Sequence, residues 1–302
     1  MPYPAPVQLV SEWVSCEAPD GPVSAYLAYP RAARAPRPAV LVLQEVWGVD
    51  GHIQDVAERL ASAGYAALAV DLYSAGGGRP PSLAPARVEA AKAFLNTIPS
   101  AQWMAVLGDD ARRAQELARL PEGEGEQVGE TLGTLFGGMR DIDRYAQLVR
   151  AAVGFVRSHP ASEGRAVGSV GFCLGGGLSA RLACEEPGLA AAVVFYGASP
   201  SAEQVARIGC PLRGFYGVED PRIVGGLGAF EDALREAGAD YELRIYPDTG
   251  HAFFNDTRPS YRAPAARDAW ARTLAFFART LDPAATVDVR EAVSLQEAPS
   301  AG

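Results

Sequence analysis

The stretch that decides the fold reads Val167-Gly-Ser-Val-Gly-Phe-Cys-Leu-Gly-Gly-Gly177. Within it, an apolar strand pattern runs directly into Gly171-Phe-Cys-Leu-Gly175, and a helical pattern follows. Glycines on both sides of a central nucleophilic residue predict a tight strand-to-helix turn, because the strand and the helix must approach closely there. The start of the helix offers amide N–H groups and the positive end of its dipole, which favour a thiolate and a developing oxyanion. The stretch therefore predicts Cys173 as a nucleophile on such a turn.

Buried strands and amphipathic helices alternate on both sides of this turn. Continuous apolar runs such as Ala39-Val-Leu-Val-Leu43 are typical of strands that a parallel sheet buries on both faces. The predicted strands cover residues 8–14, 23–29, 39–43, 65–70, 166–172, 190–196, 211–217 and 241–246, and the predicted helices cover residues 52–63, 86–95, 103–120, 142–156, 178–184, 227–237 and 265–280. This order predicts a single α/β domain over residues 1–302, with a mostly parallel, doubly wound sheet that begins with an antiparallel hairpin.

Residues 74–140 interrupt the alternation. Residues 74–85 are rich in glycine and proline and predict a loop, and residues 121–140, with six glycines and four glutamates, do not fit the alternation either. We expect the whole region to form an insertion, or cover, over the carboxyl ends of the strands, where it would influence the choice of substrate. Residues 283–302 form a tail for which the sequence leaves open an edge strand or disorder.

Composition argues against several classes of protein. A net charge of −9, from 27 basic and 36 acidic residues, disfavours nucleic acid or an anionic membrane as a partner. No apolar run reaches the roughly 18 residues that a membrane-spanning helix needs. The four cysteines, Cys16, Cys173, Cys184 and Cys210, lack the spacing of a zinc site, so we expect no metal and no cofactor. No signal peptide is recognisable at residues 1–10, which predicts reduced thiols in a cytoplasmic protein.

A nucleophilic thiol needs a base, and the sequence contains three histidines. His52 begins a predicted helix and His159 precedes a proline at the end of one, so both are predicted to be surface or capping residues. His251 follows the last predicted strand and precedes the last predicted helix, in a loop on the same sheet edge as the cysteine turn. His251 is therefore the predicted base.

The imidazole in turn needs a carboxylate to orient it. Asp220 follows a predicted strand at the same sheet edge, and the chain order Cys173, Asp220, His251 matches the nucleophile–acid–histidine order that accompanies such a turn. Asp220 is the preferred acid. Glu219 beside it remains an alternative, and Asp248 could instead cap the local turn.

Glu45 lies directly at the end of the buried strand 39–43, which should face the cysteine turn. A glutamate in such a place is usually a solvated loop residue, but the backbone N–H groups here are in position to complete an oxyanion hole. The amides of Val46 and Leu174 are the predicted donors.

Four segments carry a resemblance to a known family: Gln44-Glu-Val-Trp-Gly-Val-Asp50, Ala63-Gly-Tyr-Ala-Ala-Leu-Ala-Val-Asp-Leu-Tyr73, Gly171-Phe-Cys-Leu-Gly-Gly176 and Gly250-His-Ala-Phe253. In these segments the chain resembles the dienelactone hydrolases, or carboxymethylenebutenolidases, a family of α/β-hydrolases. The match extends over residues 10–281 outside the cover, and it implies the α/β-hydrolase fold.

The resemblance also implies roles for the site residues. It makes Cys173 the nucleophile, His251 the base and Asp220 the acid that orients the base. It further implies that Glu45 contacts the thiol in the resting enzyme and helps to deprotonate it when substrate arrives.

Enzymes of this family hydrolyse an enol lactone whose free carboxylate is held by arginines. The family's arginine four positions after the histidine falls on Asn255 here, with Arg258 three residues further on. A second arginine should come from the cover, where Arg79 and Arg87 are available. Trp47, Arg87 and Arg258 are the predicted substrate contacts.

Together, the residues and the resemblance predict a monomeric or homodimeric enzyme that cleaves a small lactone or activated ester through a thioester on Cys173. A thiolate leaves a tetrahedral intermediate more easily than a poor alkoxide does, which favours enol lactones and activated esters over amides. Two alternatives stay open: a general carboxylesterase or lactonase that uses the same residues, and a non-catalytic thiol that senses oxidants.

Overall fold

The computed structural model describes residues 7–33, 35–98, 102–138 and 141–283. An eight-stranded sheet forms its centre. The strands are β1 (Leu9–Cys16), β2 (Val23–Pro30), β3 (Ala39–Leu43), β4 (Ala66–Val70), β5 (Val167–Phe172), β6 (Ala191–Phe195), β7 (Leu212–Gly217) and β8 (Tyr241–Tyr246). Each strand that the sequence predicts is present, with ends that differ by at most two residues.

The strands are arranged in the order β1-β2-β4-β3-β5-β6-β7-β8. β1 and β2 pair antiparallel, and β2 joins β4 antiparallel, whereas every pairing from β4 to β8 is parallel. The prediction of a mostly parallel sheet that begins with an antiparallel hairpin is therefore confirmed. The central strands β3 to β6 are buried along their whole length because helices cover both faces of the sheet.

Helices pack on both faces of this sheet. They are α1 (Gly51–Ser62), α2 (Pro85–Asn96), α3 (Trp103–Gly108), α4 (Asp110–Leu117), α5 (Glu124–Gly138), α6 (Ile142–Ser158), α7 (Leu174–Glu185), α8 (Ala202–Val205), α9 (Pro221–Val224), α10 (Leu227–Glu236) and α11 (Ala263–Leu281). One apolar cluster joins α1 and α11 to one face, and a second joins α6, α7 and α10 to the other. The carboxyl ends of the parallel strands are thereby left as the place where loops can assemble a site.

The cover at residues 74–140 consists mainly of α2 to α5. Its structure differs from the prediction at residues 121–140. Residues 121–140, which did not fit the predicted alternation, form the 15-residue helix α5 over most of their length. Each glycine in a helix costs about 1 kcal/mol relative to alanine. Tertiary packing outweighs that cost, because one face of α5 buries Val128, Leu132 and Leu135.

Glycine also has a specific use in α5. A Cβ on Gly125 would lie 2.6 Å from the carbonyl oxygen of Leu117 in α4. The absence of a side chain therefore lets the two cover helices approach each other closely.

Two other helix boundaries differ from the predictions. Residues 103–120, predicted as one helix, form α3 and α4, because Asp109 is extended and its carboxylate accepts from the amides of Ala111 and Arg112 as a new N-cap. The helix predicted at residues 178–184 begins earlier, at Leu174, so the glycine run after the cysteine lies inside α7.

One contact of the cover lies at the carboxyl end of β3. Phe136 of α5 packs edge-on against Trp47, with 6.2 Å between the ring centroids. The predicted tail at residues 283–302 lies outside the described residues apart from its first residue. In the described part of the chain, no helix is both long and apolar enough to cross a membrane.

Candidate active site

The turn between β5 and α7 holds Cys173 in a strained conformation. Its backbone has φ 53° and ψ −113°, a combination that residues other than glycine rarely adopt. A Cβ on Gly171 would lie 1.9 Å from Gly175 O, and a Cβ on Gly175 would lie 2.1 Å from Leu43 O, so both flanking positions require glycine. The predicted strand–turn–helix is present, and the Cys173 side chain is half-buried at its tip.

The structure brings His251 and Asp220 to this cysteine. His251 lies in the loop after β8, and its Nδ1 is 2.5 Å from Oδ2 of Asp220, which follows β7. The Cys173 thiol lies beside the His251 ring: both side chains line the same cavity, and the charge of Cys173 raises the pKa of the ring. The three side chains therefore form a connected chain of thiol, imidazole and carboxylate.

The charge state of His251 is coupled to the thiol. Burial disfavours the charged ring, but the charge of Cys173 and the side-chain interactions with Asp220 and Cys173 outweigh burial and raise the pKa of His251 to about 10. An ionised Cys173 thus stabilises the imidazolium form of His251. This coupling is what a thiolate–imidazolium pair requires.

The other three cysteines lie in a different environment. Cys16, Cys184 and Cys210 are buried and free of disulfides. Burial raises the pKa of Cys16 to about 12, of Cys184 to about 11 and of Cys210 to about 12. These thiols are therefore packing residues that stay protonated at neutral pH.

Of the acids that the sequence left open, Asp220 is the one bonded to the histidine. Glu219 and Asp248 are both exposed, and Asp248 occupies the loop before His251 with a left-handed φ of 50°. The carboxylate that can orient the imidazole is therefore that of Asp220, which is 6% exposed.

The two remaining histidines lie elsewhere. His159 ends α6, where its Nδ1 accepts from the amide of Ala161 as a capping residue would. His52 is not on the surface as expected: it is 3% exposed, because it lies on the face of α1 that packs against the rings of Phe172 and Phe254. Neither histidine takes the place of the predicted base.

Glu45 is buried at the end of β3 with both carboxylate oxygens occupied. The Tyr196 hydroxyl donates to Oε1 at 3.1 Å, and Nδ2 of Asn255 donates to Oε2 at 2.8 Å. Burial and the charges of Glu45 and Cys173 raise the pKa of Tyr196 well above its usual value, which keeps its hydroxyl a donor. The contact between Glu45 and the thiol that the resemblance implies stays a prediction.

Sequence reasoning missed the roles of Tyr196 and Asn255. Tyr196 follows β6 at the carboxyl edge of the sheet, with a left-handed φ of 41°. Its place beside the cysteine strand was the signal that could have identified it. Asn255 was noted only as the absence of an arginine, although an amide is well suited to donate to a buried carboxylate.

The ends of β3 and β5 are locked together near the predicted oxyanion donors. The amide of Gly175 donates to Gln44 O at 3.0 Å, and the Tyr73 hydroxyl donates to Val46 O at 2.7 Å. Leu174 is the first residue of α7, so its own amide has no acceptor within the helix. The amides of Val46 and Leu174 thus lie on fixed segments at the same sheet edge as the thiol.

Two of the predicted substrate contacts, Trp47 and Arg258, form part of one buried stack. The Arg258 guanidinium lies 4.9 Å from the Trp47 ring and 4.8 Å from the ring of Trp103 in the cover. Arg258 is 7% exposed, and its buried Nη1 has no hydrogen-bond partner in the described part of the chain. Burial lowers the pKa of Arg258, while Glu45 and other nearby negative charges oppose that shift.

The third predicted contact, Arg87, does not join this site. Its Nη2 donates to Gln127 O and to Glu130 Oε2, each at 2.7 Å, so Arg87 ties α2 to α5 within the cover. Arg79 is likewise engaged, since its Nε donates to Asp71 at 2.6 Å. Arg87 as a substrate contact stays a prediction, and in the structure its Nη2 is engaged within the cover while its Nε has no partner among the described residues.

A cavity of about 480 Å³ opens beside the thiol, and Cys173, Tyr196 and His251 form part of its wall. A volume of this size is typical of small-molecule sites. Among the described residues, no three histidine, cysteine, aspartate or glutamate side chains converge in a way that could hold a metal ion.

The chain as a whole is similar to several known proteins. The family model of the dienelactone hydrolase family matches residues 23–281. A protein of Saccharolobus solfataricus named "Putative carboxymethylenebutenolidase" is 34% identical over 259 residues, which are 85% of this chain and 94% of that protein. A protein of Methylorubrum extorquens with the same name is 31% identical over 280 residues, 89% of this chain and 81% of that protein.

A solved structure shows the same relationship. The crystal structure of a "Putative Dienelactone Hydrolase" from Klebsiella pneumoniae subsp. pneumoniae superimposes with a TM-score of 0.62 at 30% identity, covering 90% of this chain and 99% of that one. Family model, relatives and fold all agree. The chain therefore belongs to the dienelactone hydrolase family and is an ester or lactone hydrolase.

Proposed function

We propose that this enzyme hydrolyses small lactones and activated esters through a thioester on Cys173. The observation that carries the proposal is the connected chain of Cys173, His251 and Asp220 on a strained turn. The relatives named as carboxymethylenebutenolidases support an enol lactone as the substrate class.

In the first half of the reaction, the Cys173 thiolate attacks the carbonyl carbon and forms a C–S bond. The carbonyl electron pair moves onto oxygen, and the amides of Val46 and Leu174 hold the resulting oxyanion. When the intermediate collapses, the C–O bond to the leaving group breaks. The leaving enolate or alkoxide takes a proton from the His251 imidazolium.

In the second half, water cleaves the thioester. His251, now neutral, accepts a proton from the water as the oxygen attacks the acyl carbon. The second tetrahedral intermediate expels the Cys173 thiolate and releases the carboxylic acid. Asp220 holds the imidazole in one orientation throughout and stabilises its charged form. The net change is one ester and one water converted into an acid and an alcohol, or into a hydroxy or oxo acid for a lactone.

The buried Arg258 suggests how a carboxylate on the substrate would be held. Its unpartnered Nη1 is a free donor beside the indole of Trp47, and its charge interacts with that of Cys173. A substrate carboxylate would satisfy this donor with a charge-assisted hydrogen bond.

A direct test compares wild-type enzyme with Cys173→Ala on para-nitrophenyl acetate and cis-dienelactone. We expect the variant to lose at least about 10³-fold in kcat, because the nucleophile is gone. Cys184→Ala is the matched control: it removes a buried thiol of raised pKa on α7, away from the turn, and should retain activity. Retained hydrolysis of both substrates by Cys173→Ala would disprove the proposal.

A general carboxylesterase or lactonase is the second candidate. The observation that favours it is Asn255, which bonds to Glu45 at the position where the family places an arginine. A panel of enol lactones and simple esters separates the two candidates. An enzyme for enol lactones of the dienelactone type requires that a free carboxylate on the substrate improves kcat/KM. A general carboxylesterase or lactonase requires that it does not.

A further inference from the structure

The open space beside the thiol lies away from the cover. On the cover side lies the stack of Trp47, Arg258 and Trp103, and none of these three residues lines the cavity. The cavity of about 480 Å³ instead extends along α8 and α9. This volume lies in the range of complete small-molecule sites, which accommodate ligands larger than a single lactone ring. The cavity can therefore hold an additional arm of the substrate.

The walls of this cavity are mostly apolar. Ile142, Leu174, Pro200 and Ile223 line it together with the catalytic groups. Such walls suit a short methylene chain, because burying each CH₂ group is favourable. The arm that they accommodate is thus aliphatic along its length.

Two arginines also line the cavity, and they differ in whether nearby carboxylates already pair with them. Arg181 is bonded to Asp143 and Glu185, at 2.6 Å and 2.7 Å, so its charge is compensated. Arg222 is exposed, and within the residues that the structure describes it has no ion pair or side-chain hydrogen bond. Arg222 is therefore the cation of this cavity that is available to a ligand.

The backbone fixes Arg222 relative to the reacting groups. It is the second residue of α9, which starts directly after Asp220, and the amide of Val224 donates back to Asp220 O at 2.9 Å. Because Asp220 is bonded to His251, the backbone that carries Arg222 is tied to the catalytic loop, and the exposed guanidinium can turn toward a ligand in the cavity.

We propose that this cavity binds the acyl arm of the substrate and that Arg222 selects an arm that ends in a carboxylate. The proposal rests on the hydrolytic function proposed above and adds the class of substrate: an ester or lactone of a dicarboxylic acid, with an aliphatic spacer between its two acid groups. Arg222 contacts the distal group and sets specificity, while the chemistry stays at Cys173.

The first experiment compares two esters that differ only in the charge of the distal group: mono(4-nitrophenyl) adipate and 4-nitrophenyl methyl adipate. Wild-type enzyme should prefer the charged ester. Arg222→Ala should lower the ratio of the two kcat/KM values by about tenfold, chiefly through KM, because one charge-assisted hydrogen bond is lost. Arg222→Glu should lower the ratio further, and added salt should lower it in wild type but not in Arg222→Ala.

Arg267→Ala is the matched control. Arg267 is an exposed arginine on α11 that does not line the cavity, so its removal changes the net charge equally. This control should leave the ratio within about twofold of wild type, as most surface substitutions do. A wild-type ratio in Arg222→Ala, or an equal fall in Arg267→Ala, would overturn the proposal.

A second substrate tests the assignment of the arm. In 4-acetoxybenzoate the carboxylate is on the leaving group. If Arg222→Ala impairs this ester and spares mono(4-nitrophenyl) adipate, the acyl assignment is wrong.

A binding measurement keeps the inference separate from the hydrolytic function. Titration of adipate into Cys173→Ala, with and without Arg222→Ala, needs no turnover. We expect the dissociation constant to rise about tenfold when Arg222 is removed. If wild-type enzyme cleaved none of the esters, the hydrolytic proposal would fail, but the binding comparison would still decide the role of Arg222. Equal dissociation constants with and without Arg222 would overturn that role.

Discussion

At the scale of single residues, the site depends on the coupling between a thiol and an imidazole. Cys173 and Asp220 approach the same ring and raise the pKa of His251 to about 10 against the effect of burial. The imidazolium is therefore the resting form expected at neutral pH while Cys173 is ionised. Removal of either partner must lower the pKa, because burial then opposes the charged ring with less compensation.

We predict that Cys173→Ala lowers the pKa of His251 and that Asp220→Asn lowers it as well. The larger fall is expected for Cys173→Ala, because the charge of Cys173 is the strongest of the raising contributions. The measurement is a pH titration of the imidazole nitrogens by NMR. His159 serves as an internal reference, since it lies at the end of α6 and is capped locally. A His251 pKa that stayed unchanged in Cys173→Ala would contradict the coupling.

Residue types at strand ends were predictable from the sequence, but their partners were not. The positions of Cys173, Asp220 and His251 follow from local patterns, since each lies in the turn or loop that follows a strand of the parallel part of the sheet. The hydrogen bonds of Glu45 to Tyr196 and Asn255 join residues far apart in the chain, and no local pattern encodes them. For the same reason, the pairing of Arg87 with Glu130 was not foreseen.

At the scale of elements, the turn between β5 and α7 depends on glycines that have no room for a side chain. The Cβ of an alanine at 171 would lie 1.9 Å from a backbone oxygen that cannot rotate away. Gly154 in the middle of α6 is the contrasting position, where a side chain has room, because nothing lies within 4 Å of a Cβ added there.

We therefore predict opposite effects of two glycine-to-alanine substitutions. Gly171→Ala should lower the free energy of unfolding by at least about 3 kcal/mol, because the backbone of the turn must shift. Gly154→Ala should raise it by about 0.5–1 kcal/mol, because alanine loses less entropy in a helix. Urea unfolding followed by circular dichroism measures both. Equal effects of the two substitutions would show that the turn is not constrained as described.

Helix α5 shows where sequence patterns fail for an element. Its glycines have a low helix propensity and therefore indicate an irregular segment. The helix forms nevertheless, because it buries three apolar side chains on one face. Propensity is a local quantity, and the apolar surface that α5 covers belongs to other parts of the chain. By contrast, β3 and β8 were predicted with the observed ends, because their apolar or alternating patterns are complete within the strand itself.

At the scale of the whole molecule, the cover and the sheet are joined at a few identifiable contacts. One is the Arg258 guanidinium, which packs between Trp47 at the end of β3 and Trp103 of the cover. Stacking of this kind contributes on the order of 1–2 kcal/mol when the cation is desolvated. The stack therefore holds α3 against the loop that carries His251.

We predict that Trp103→Ala increases hydrogen exchange of the amides in α3, α4 and α5 by about tenfold, because the opening of the cover becomes easier. Exchange in β5 and α7 should not change, since these elements belong to the sheet core. Trp270→Ala is the control: it removes an indole from α11, where it packs on Phe254 rather than on the cover. Increased exchange in the cover of both variants to the same extent would argue against a specific role of the stack.

The central claim is that turnover passes through an acyl group on Cys173, and intact-protein and peptide mass spectrometry test it most directly. The enzyme is mixed with para-nitrophenyl acetate, quenched in acid during turnover and digested. The account predicts one acetyl group, located on the peptide that contains Cys173 and absent from Cys173→Ala treated in the same way. Steady hydrolysis with no acetyl group on Cys173, with the group on another residue, or with only oxidation of the thiol would contradict it.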